Sequence, residues 1–298
     1  MKDDLHTLVL ALEQDDSLLQ PAKLRERIRA MDRLEDVLIQ APGERPVEPS
    51  LRARMEALHA RLADAQRELS LAIREAIRRG DGAQALHAWM HPSHQLQDPQ
   101  GYDHLDALVS EVLSFDEPTA EIADLDADMV FYQPTPARHI FDLIGRAAIT
   151  DADVLVDLGS GLGHVPLLVS ICTGAQGIGI EREPVYVDGA RRSARALKLD
   201  RVTFIAQDAR EADFSRGTVF YLYTPFSGTI LRNVLDQLKQ QATSRPIRLA
   251  TLGPCTPMVA AEPWLEAVGP QALDRITLFR PAQRQASDRQ GGLAGCGT

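Results

Sequence analysis

Apolar positions along this chain fall into two regimes. In the first half they recur every three or four residues: Leu5, Leu8, Val9 and Leu12 in a stretch closed by Pro21, then Leu24, Ile28, Met31, Leu34 and Leu38 in a second stopped by Ala41-Pro42-Gly43. That spacing predicts amphipathic helices. A third stretch runs from Pro49 to about Arg79, with Met55, Leu58, Leu62, Ala65, Leu69, Ala72 and Ala76 at a/d spacing and Glu, Arg and Gln outside. It predicts a long helix paired with the second as an antiparallel hairpin. Gly80-Asp81-Gly82 breaks it. A short helix with Leu86 and Trp89 follows, then Tyr102–Leu113 with Leu105, Leu108, Val109 and Val112 inward, and His139–Ala148 with Ile140, Phe141, Ile144 and Ala147 inward.

From Val154 onward the pattern changes to short apolar runs alternating with helical stretches. Strands are expected at Val154–Leu158, Gly177–Glu181, Arg201–Ala206, Thr218–Tyr223, Ile247–Leu252 and Ile276–Arg280. Helices are expected at Val165–Ile171, Pro184–Leu199, Thr229–Gln241 and across residues 258–268. Strands alternating with helices of this length predict an α/β fold with a mostly parallel sheet of six to seven strands, one of them not placed by the pattern. The expected organisation is a helical N-terminal domain over residues 1–128 with a long hairpin and an acidic linker, an α/β domain over 129–282, and a disordered tail over 283–298, where Gln, Ser, Gly and charge prevail.

The stretch Val154-Leu-Val-Asp157-Leu-Gly159-Ser160-Gly161-Leu-Gly163-His164 is where the two kinds of element meet. A strand entering a helix through glycines lets a ligand come close to the backbone and offers it the unpaired N–H groups of the helix start. A dinucleotide fingerprint would need a glycine at position 164, which is His164. An acid ending the strand, followed by Gly-x-Gly-x-Gly, suits instead a cofactor with an amino-acid end and no phosphate, Asp157 facing its ammonium group. About twenty residues on, Glu181 ends the next strand, placed to accept two ribose hydroxyls.

Composition narrows the function classes. The net charge of −10 is lopsided: residues 150–298 carry 16 Lys+Arg against 15 Asp+Glu, and residues 1–149 carry 16 against 27. Between Arg79 and Arg138 there are 11 acids and no Lys or Arg. Such a face repels phosphate backbones, so nucleic acid is not expected as a partner. No run is apolar enough for a membrane span, and Met1-Lys2-Asp3-Asp4-Leu5-His6 does not read as a signal peptide, so a cytoplasmic protein without membrane association is expected. Cys172, Cys255 and Cys296 have no paired spacing, which argues for reduced thiols. His87, His91 and His94 recur at helical spacing, but Pro92 interrupts them and no metal site is expected.

With the motif Val156-Asp-Leu-Gly-Ser-Gly-Leu-Gly-His164, the strand end Gly-Ile-Glu181 and Tyr132-x-x-Thr135 ahead of the glycines, the chain resembles the Rossmann-like S-adenosyl-L-methionine (SAM) methyltransferases. Within them it is most similar in motifs to the non-SET, disruptor-of-telomeric-silencing type of histone-lysine methyltransferase and its bacterial relatives. The resemblance covers roughly residues 129–255. It implies that Tyr132 and Thr135 fold over the methionine end of SAM, with Asp157, Gly159, Ser160, Gly161, Gly163 and His164 beneath, Glu181 on ribose, and Asp208 and Ala209 beside adenine. Tyr223 stands where that family has the asparagine of its methyl-transfer channel. Tyr132, Tyr223 and Thr224 are the candidates for positioning the acceptor. The implied activity is methylation of a small molecule or a protein side chain, with a non-catalytic SAM-fold regulator and an NAD-dependent oxidoreductase as alternatives. A homodimer through the N-terminal helices is a further expectation.

Overall fold

The computed structural model describes residues 2–40, 47–90, 103–115 and 132–282. Seven of the 11 acids between Arg79 and Arg138 (Asp98, Asp116, Glu117, Glu121, Asp124, Asp126 and Asp128), His91, His94, Cys296 and the tail lie outside the described residues.

Seven strands form one sheet: β1 (Val154–Leu158), β2 (Gln176–Glu181), β3 (Val202–Ala206), β4 (Val219–Leu222), β5 (Arg248–Thr251), β6 (Leu265–Val268) and β7 (Thr277–Pro281). Their order is β3-β2-β1-β4-β5-β7-β6, with β7 inserted antiparallel between β5 and β6 and the first five strands parallel. The unplaced strand is β6. Residues 258–268, expected as a helix, instead hold the end of the five-residue helix α10 (Thr256–Ala260) and then this edge strand. Pro263 is the reason: it has no N–H to give a continuing helix, and Leu265–Val268 beyond it is extended and paired with β7.

Side chains alternate across the sheet, and the alternation separates two cores. Val156, Leu158, Phe220, Leu222 and Leu249 face α9 (Gly228–Ser244) and α10. Leu155, Val219 and Tyr221 face the opposite layer, built from α7 (His164–Thr173), α8 (Pro184–Ala196) and α6 (Ala137–Arg146). That second core also takes in Ile73 and Ile77 of α3 (Pro49–Arg78), Leu86 of α4 (Gly82–Leu86), and Leu105, Leu108 and Val112 of α5 (His104–Leu113). It therefore runs across residue 128, and the helical region is continuous with the α/β core on that side. Ser193 Oγ donating to the Leu113 carbonyl at 2.6 Å and Arg78 Nε donating to the Ala196 carbonyl at 2.8 Å join the two halves.

A separate cluster holds the far end of the helical region, where α1 (Lys2–Gln14), α2 (Leu24–Gln40) and the first half of α3 bury Val9, Leu34, Met55, Leu58 and Leu62. The hairpin of α2 and α3 is present, and of the a/d positions past Leu62 Ala76 is buried and Leu69 packs against the core, while Ala72 is exposed and Gln66, Ser70, Ile73 and Ile77 are further buried positions. For the first two the reason is polar: Gln66 Oε1 accepts from the fully buried Arg27 at 2.9 Å, and Ser70 donates to Glu111 of α5 at 2.6 Å. A buried guanidinium must be satisfied by hydrogen bonds, and Gln66 at an inward position supplies an acceptor. Among the described residues no helix is long and apolar enough to cross a membrane.

Candidate functional site

The strand order reverses between β2-β1 and β4-β5, and in open α/β sheets ligands bind outside the carboxyl ends of the strands at such a point. A cavity of about 250 Å³ opens there, walled by Asp157 in β1, Gly159 and Ser160 after it, Tyr223, Thr224 and Pro225 after β4, Tyr132 to Thr135 before α6, and His164, Val165 and Pro254. It brings together eight of the residues the sequence singled out: Tyr132, Thr135, Asp157, Gly159, Ser160, His164, Tyr223 and Thr224; Gly161, Gly163, Glu181, Asp208 and Ala209 do not line it. Gln133, Pro134 and Pro254 join it without a sequence signal.

The turn is fixed by backbone bonds. Gly159 and Ser160 both donate to the Ile180 carbonyl, at 2.8 and 3.1 Å, and Gly161 donates to the Glu181 carboxylate at 2.8 Å. Gly159, Gly161 and Gly163 all have positive φ (80°, 50° and 84°), which a side chain would resist. The space above them is not left for a ligand alone. A Cβ on Gly159 would lie 2.3 Å from Pro225, one on Gly161 1.9 Å from the Tyr132 ring, and one on Gly163 2.4 Å from Phe204. Protein atoms thus share with a ligand the demand for glycine.

Asp157 ends β1 almost wholly buried, and burial, reinforced by the charge of Glu181, pushes its pKa well above the ordinary carboxylate range. Ser160 Oγ is buried at the same cavity and has no hydrogen-bond partner among the described residues. A carboxylate wanting a cation and a hydroxyl wanting a partner fit a ligand with an ammonium group, so the residues present suit the amino-acid end of SAM. Glu181 spends one oxygen on Gly161 and the other on the N–H of Glu183 at 2.9 Å, each keeping acceptor capacity.

Tyr132 packs against Gly161 of the glycine turn, its ring 4.7 Å from that of Tyr186 and its hydroxyl 3.4 Å from His164 Nδ1. His164 also packs on Phe115, with ring centroids 4.5 Å apart, and burial lowers its pKa to about 4, so it is neutral near pH 7. Thr135 Oγ1 meets the hydroxyl of Tyr221 at 3.1 Å; Tyr221, fully buried in β4 and paired with Asp157 across the sheet, escaped the sequence reading because a tyrosine inside an apolar strand reads as core. Tyr223 is half-buried, its pKa raised by burial and held back by Arg138.

Two expected roles meet a different geometry. Thr224 has a left-handed φ of 42°, and its hydroxyl donates to the Leu252 carbonyl at 3.1 Å while accepting from the Cys255 N–H at 3.1 Å. It ties the ends of β4 and β5 together, so its oxygen is already engaged. Asp208 accepts from the Arg210 N–H at 2.8 Å and pairs with the Arg210 side chain at 2.7 Å, capping a helical turn that begins at the buried Ala209. Thr224 lines the cavity and Asp208 does not. Among the described residues there is no cluster of His, Cys, Asp and Glu able to hold a metal.

No family model matches the chain. Sterol 24-C-methyltransferase of Eremothecium gossypii is 30% identical over 88 residues, which are 29% of this chain and 24% of that protein. The chain thus spans about a quarter of the curated relative it matches. Among solved structures, an RNA methyltransferase from Salinibacter ruber, in complex with S-adenosyl-L-homocysteine, is 28% identical over 52% of this chain and 98% of its own, with a TM-score of 0.42. A SAM-dependent methyltransferase from Thiobacillus denitrificans, in complex with the same compound, is 22% identical over 40% of this chain and 50% of its own, with a TM-score of 0.34. In the chain itself, the order β3-β2-β1-β4-β5 matches the start of the 3-2-1-4-5-6 order of the dinucleotide-binding fold, and the antiparallel β7 between β5 and β6 sets the sheet apart from it. The chain has a mixed, mostly parallel seven-stranded sheet of Rossmann-like topology with a core on each face.

Proposed function

We propose that this protein is a SAM-dependent methyltransferase acting on a small molecule or a protein side chain. The observation that carries the reading is Asp157: a buried carboxylate at the carboxyl end of the central strand, opening on a cavity, with no cation among the described groups acting on it. An ammonium group supplies the missing charge. The bond from the Gly161 N–H to Glu181 supports Glu181 as the residue that takes ribose hydroxyls, and Thr135 and His164 line the cavity with Asp157.

When bound, SAM supplies a methyl group on a sulfonium. The chain's own part is to hold the reacting groups in line and keep water out, and positioning alone accounts for much of the acceleration in such displacements. Tyr223 and Pro254 wall the acceptor side, with no Lys or Arg among the cavity's residues, which suits a neutral or cationic acceptor. Tyr223 has a raised pKa and is a poor base, so it orients the acceptor. The 11 acids and absent Lys and Arg between Arg79 and Arg138 disfavour nucleic acid as that acceptor. The motif resemblance to the disruptor-of-telomeric-silencing type supports a lysine-bearing peptide as one acceptor to try, although Tyr223 replaces the channel asparagine.

The test is incubation of the protein with methyl-labelled SAM and two pools, amine or hydroxyl metabolites and lysine-bearing peptides, with RNA as a third. Label in either of the first two supports the reading; label in RNA alone contradicts the acceptor class.

A further inference from the structure

We propose that Tyr221 is a positioning residue that makes Thr135 a hydrogen-bond donor toward the carboxylate of the cofactor's amino-acid end. The inference deepens the methyltransferase reading and rests on it.

The Tyr221 side chain is fully buried, on the face of β4 that it shares with Asp157 on β1. Its hydroxyl has Thr135 Oγ1, at 3.1 Å, as its hydrogen-bond partner among the described residues. Either oxygen could donate by distance alone. Burial decides it: a phenolic O–H left without an acceptor in the core is costly, and the phenol is the more acidic of the two hydroxyls, so Tyr221 donates and Thr135 accepts. The proton of Thr135 is then turned away from the sheet. Thr135 lines the cavity that Asp157 also lines. On an amino acid the ammonium and the carboxylate share one carbon, so a ligand whose ammonium meets Asp157 brings its carboxylate within a few ångströms of that place. A carboxylate accepts only, and a hydroxyl donor is what it needs.

The backbone at Thr135 is held by other means. The N–H of Ala137, two residues on, donates to Asp106 of α5 at 2.7 Å, and Asp106 also accepts from the N–H of Asp103 at 2.6 Å. Removing the Tyr221 hydroxyl should therefore leave the segment in place and change the direction of one proton. That separates this role from a structural one.

The experiment compares two ligands, SAM and its decarboxylated form, titrated calorimetrically into the full chain and into Tyr221→Phe and Thr135→Val. The expected result is that each variant loses about tenfold in affinity for SAM and almost nothing for the decarboxylated ligand, and that the double variant loses no more than either single one. Thr135→Ser, which keeps the hydroxyl, should recover the discrimination that Thr135→Val loses. Equal losses for both ligands, or none for either, would overturn the inference while leaving the methyltransferase reading intact. Failure of the unaltered protein to bind SAM would overturn both.

Discussion

The carboxylate of Glu181 accepts the backbone N–H of Gly161 at 2.8 Å, so the end of β2 and the glycine turn after β1 form one hydrogen-bonded unit. Glu181 consequently has two roles in one side chain. Glu181→Ala should lower both the melting temperature and SAM affinity, since a hydrogen bond to a charged group is worth about 1.5–3 kcal/mol. Glu181→Gln, which keeps one acceptor oxygen, should fall between. Calorimetry showing normal SAM affinity in a folded Glu181→Ala protein would remove the ribose role.

Gly161 is constrained twice, by its φ of 50° and by the Tyr132 ring, 1.9 Å from where a Cβ would stand. Gly161→Ala should destabilise the fold by more than the roughly 1–2 kcal/mol that left-handed backbone costs an ordinary residue. The excess should vanish in a Tyr132→Ala background. If the two substitutions are additive in thermal denaturation, the ring does not rest on the turn.

Much of this was legible in the sequence, and the failures have physical causes. The glycine turn, Asp157 and Glu181 stood out because an acid and glycines at strand ends are rare and local. Tyr221 did not, because its significance comes from Thr135, 86 residues away, and from strand pairing with Asp157. The helix expected across 258–268 failed at Pro263, where the apolar spacing was followed through a residue that cannot continue a helix. The heptad reading misses the burial of Gln66 and Ser70, which hydrogen-bond to Arg27 and Glu111, because apolar periodicity does not register polar contacts; Leu69 and Ala76 keep their inward places and Ala72 does not. Asp208 caps the helical turn after β3 through its bonds to Arg210, a local contact that a strand-end position does not by itself distinguish from a ligand contact.

Asp157 should trade stability for binding. Its pKa is raised in the folded state, so the native protein binds more protons than the unfolded chain above the ordinary carboxylate pKa, and stability falls as pH rises through that raised value. Asp157→Asn should raise the melting temperature at neutral pH, flatten this dependence and weaken SAM binding about tenfold or more. A variant that is less stable at neutral pH yet binds SAM normally would contradict both parts.

The histidines carry the opposite sign. His139 and His164 are each held at a pKa of about 4, chiefly by burial, against about 6.5 in an unfolded chain. Between those values the unfolded chain binds more protons, so stability should rise with pH from about 4 to 6.5. Replacing both with Gln should shrink that rise, and NMR titration should show neither ring becoming protonated between about pH 5.5 and 8. A midpoint near 6.5 for His164 would mean that water reaches it freely.

The most direct test of the central claim is calorimetric titration of the full chain at neutral pH with SAM, and separately with NAD. The account predicts one-to-one binding of SAM that is weakened by Asp157→Asn and by Glu181→Ala, and no binding of NAD. Binding of NAD with no heat from SAM would contradict it.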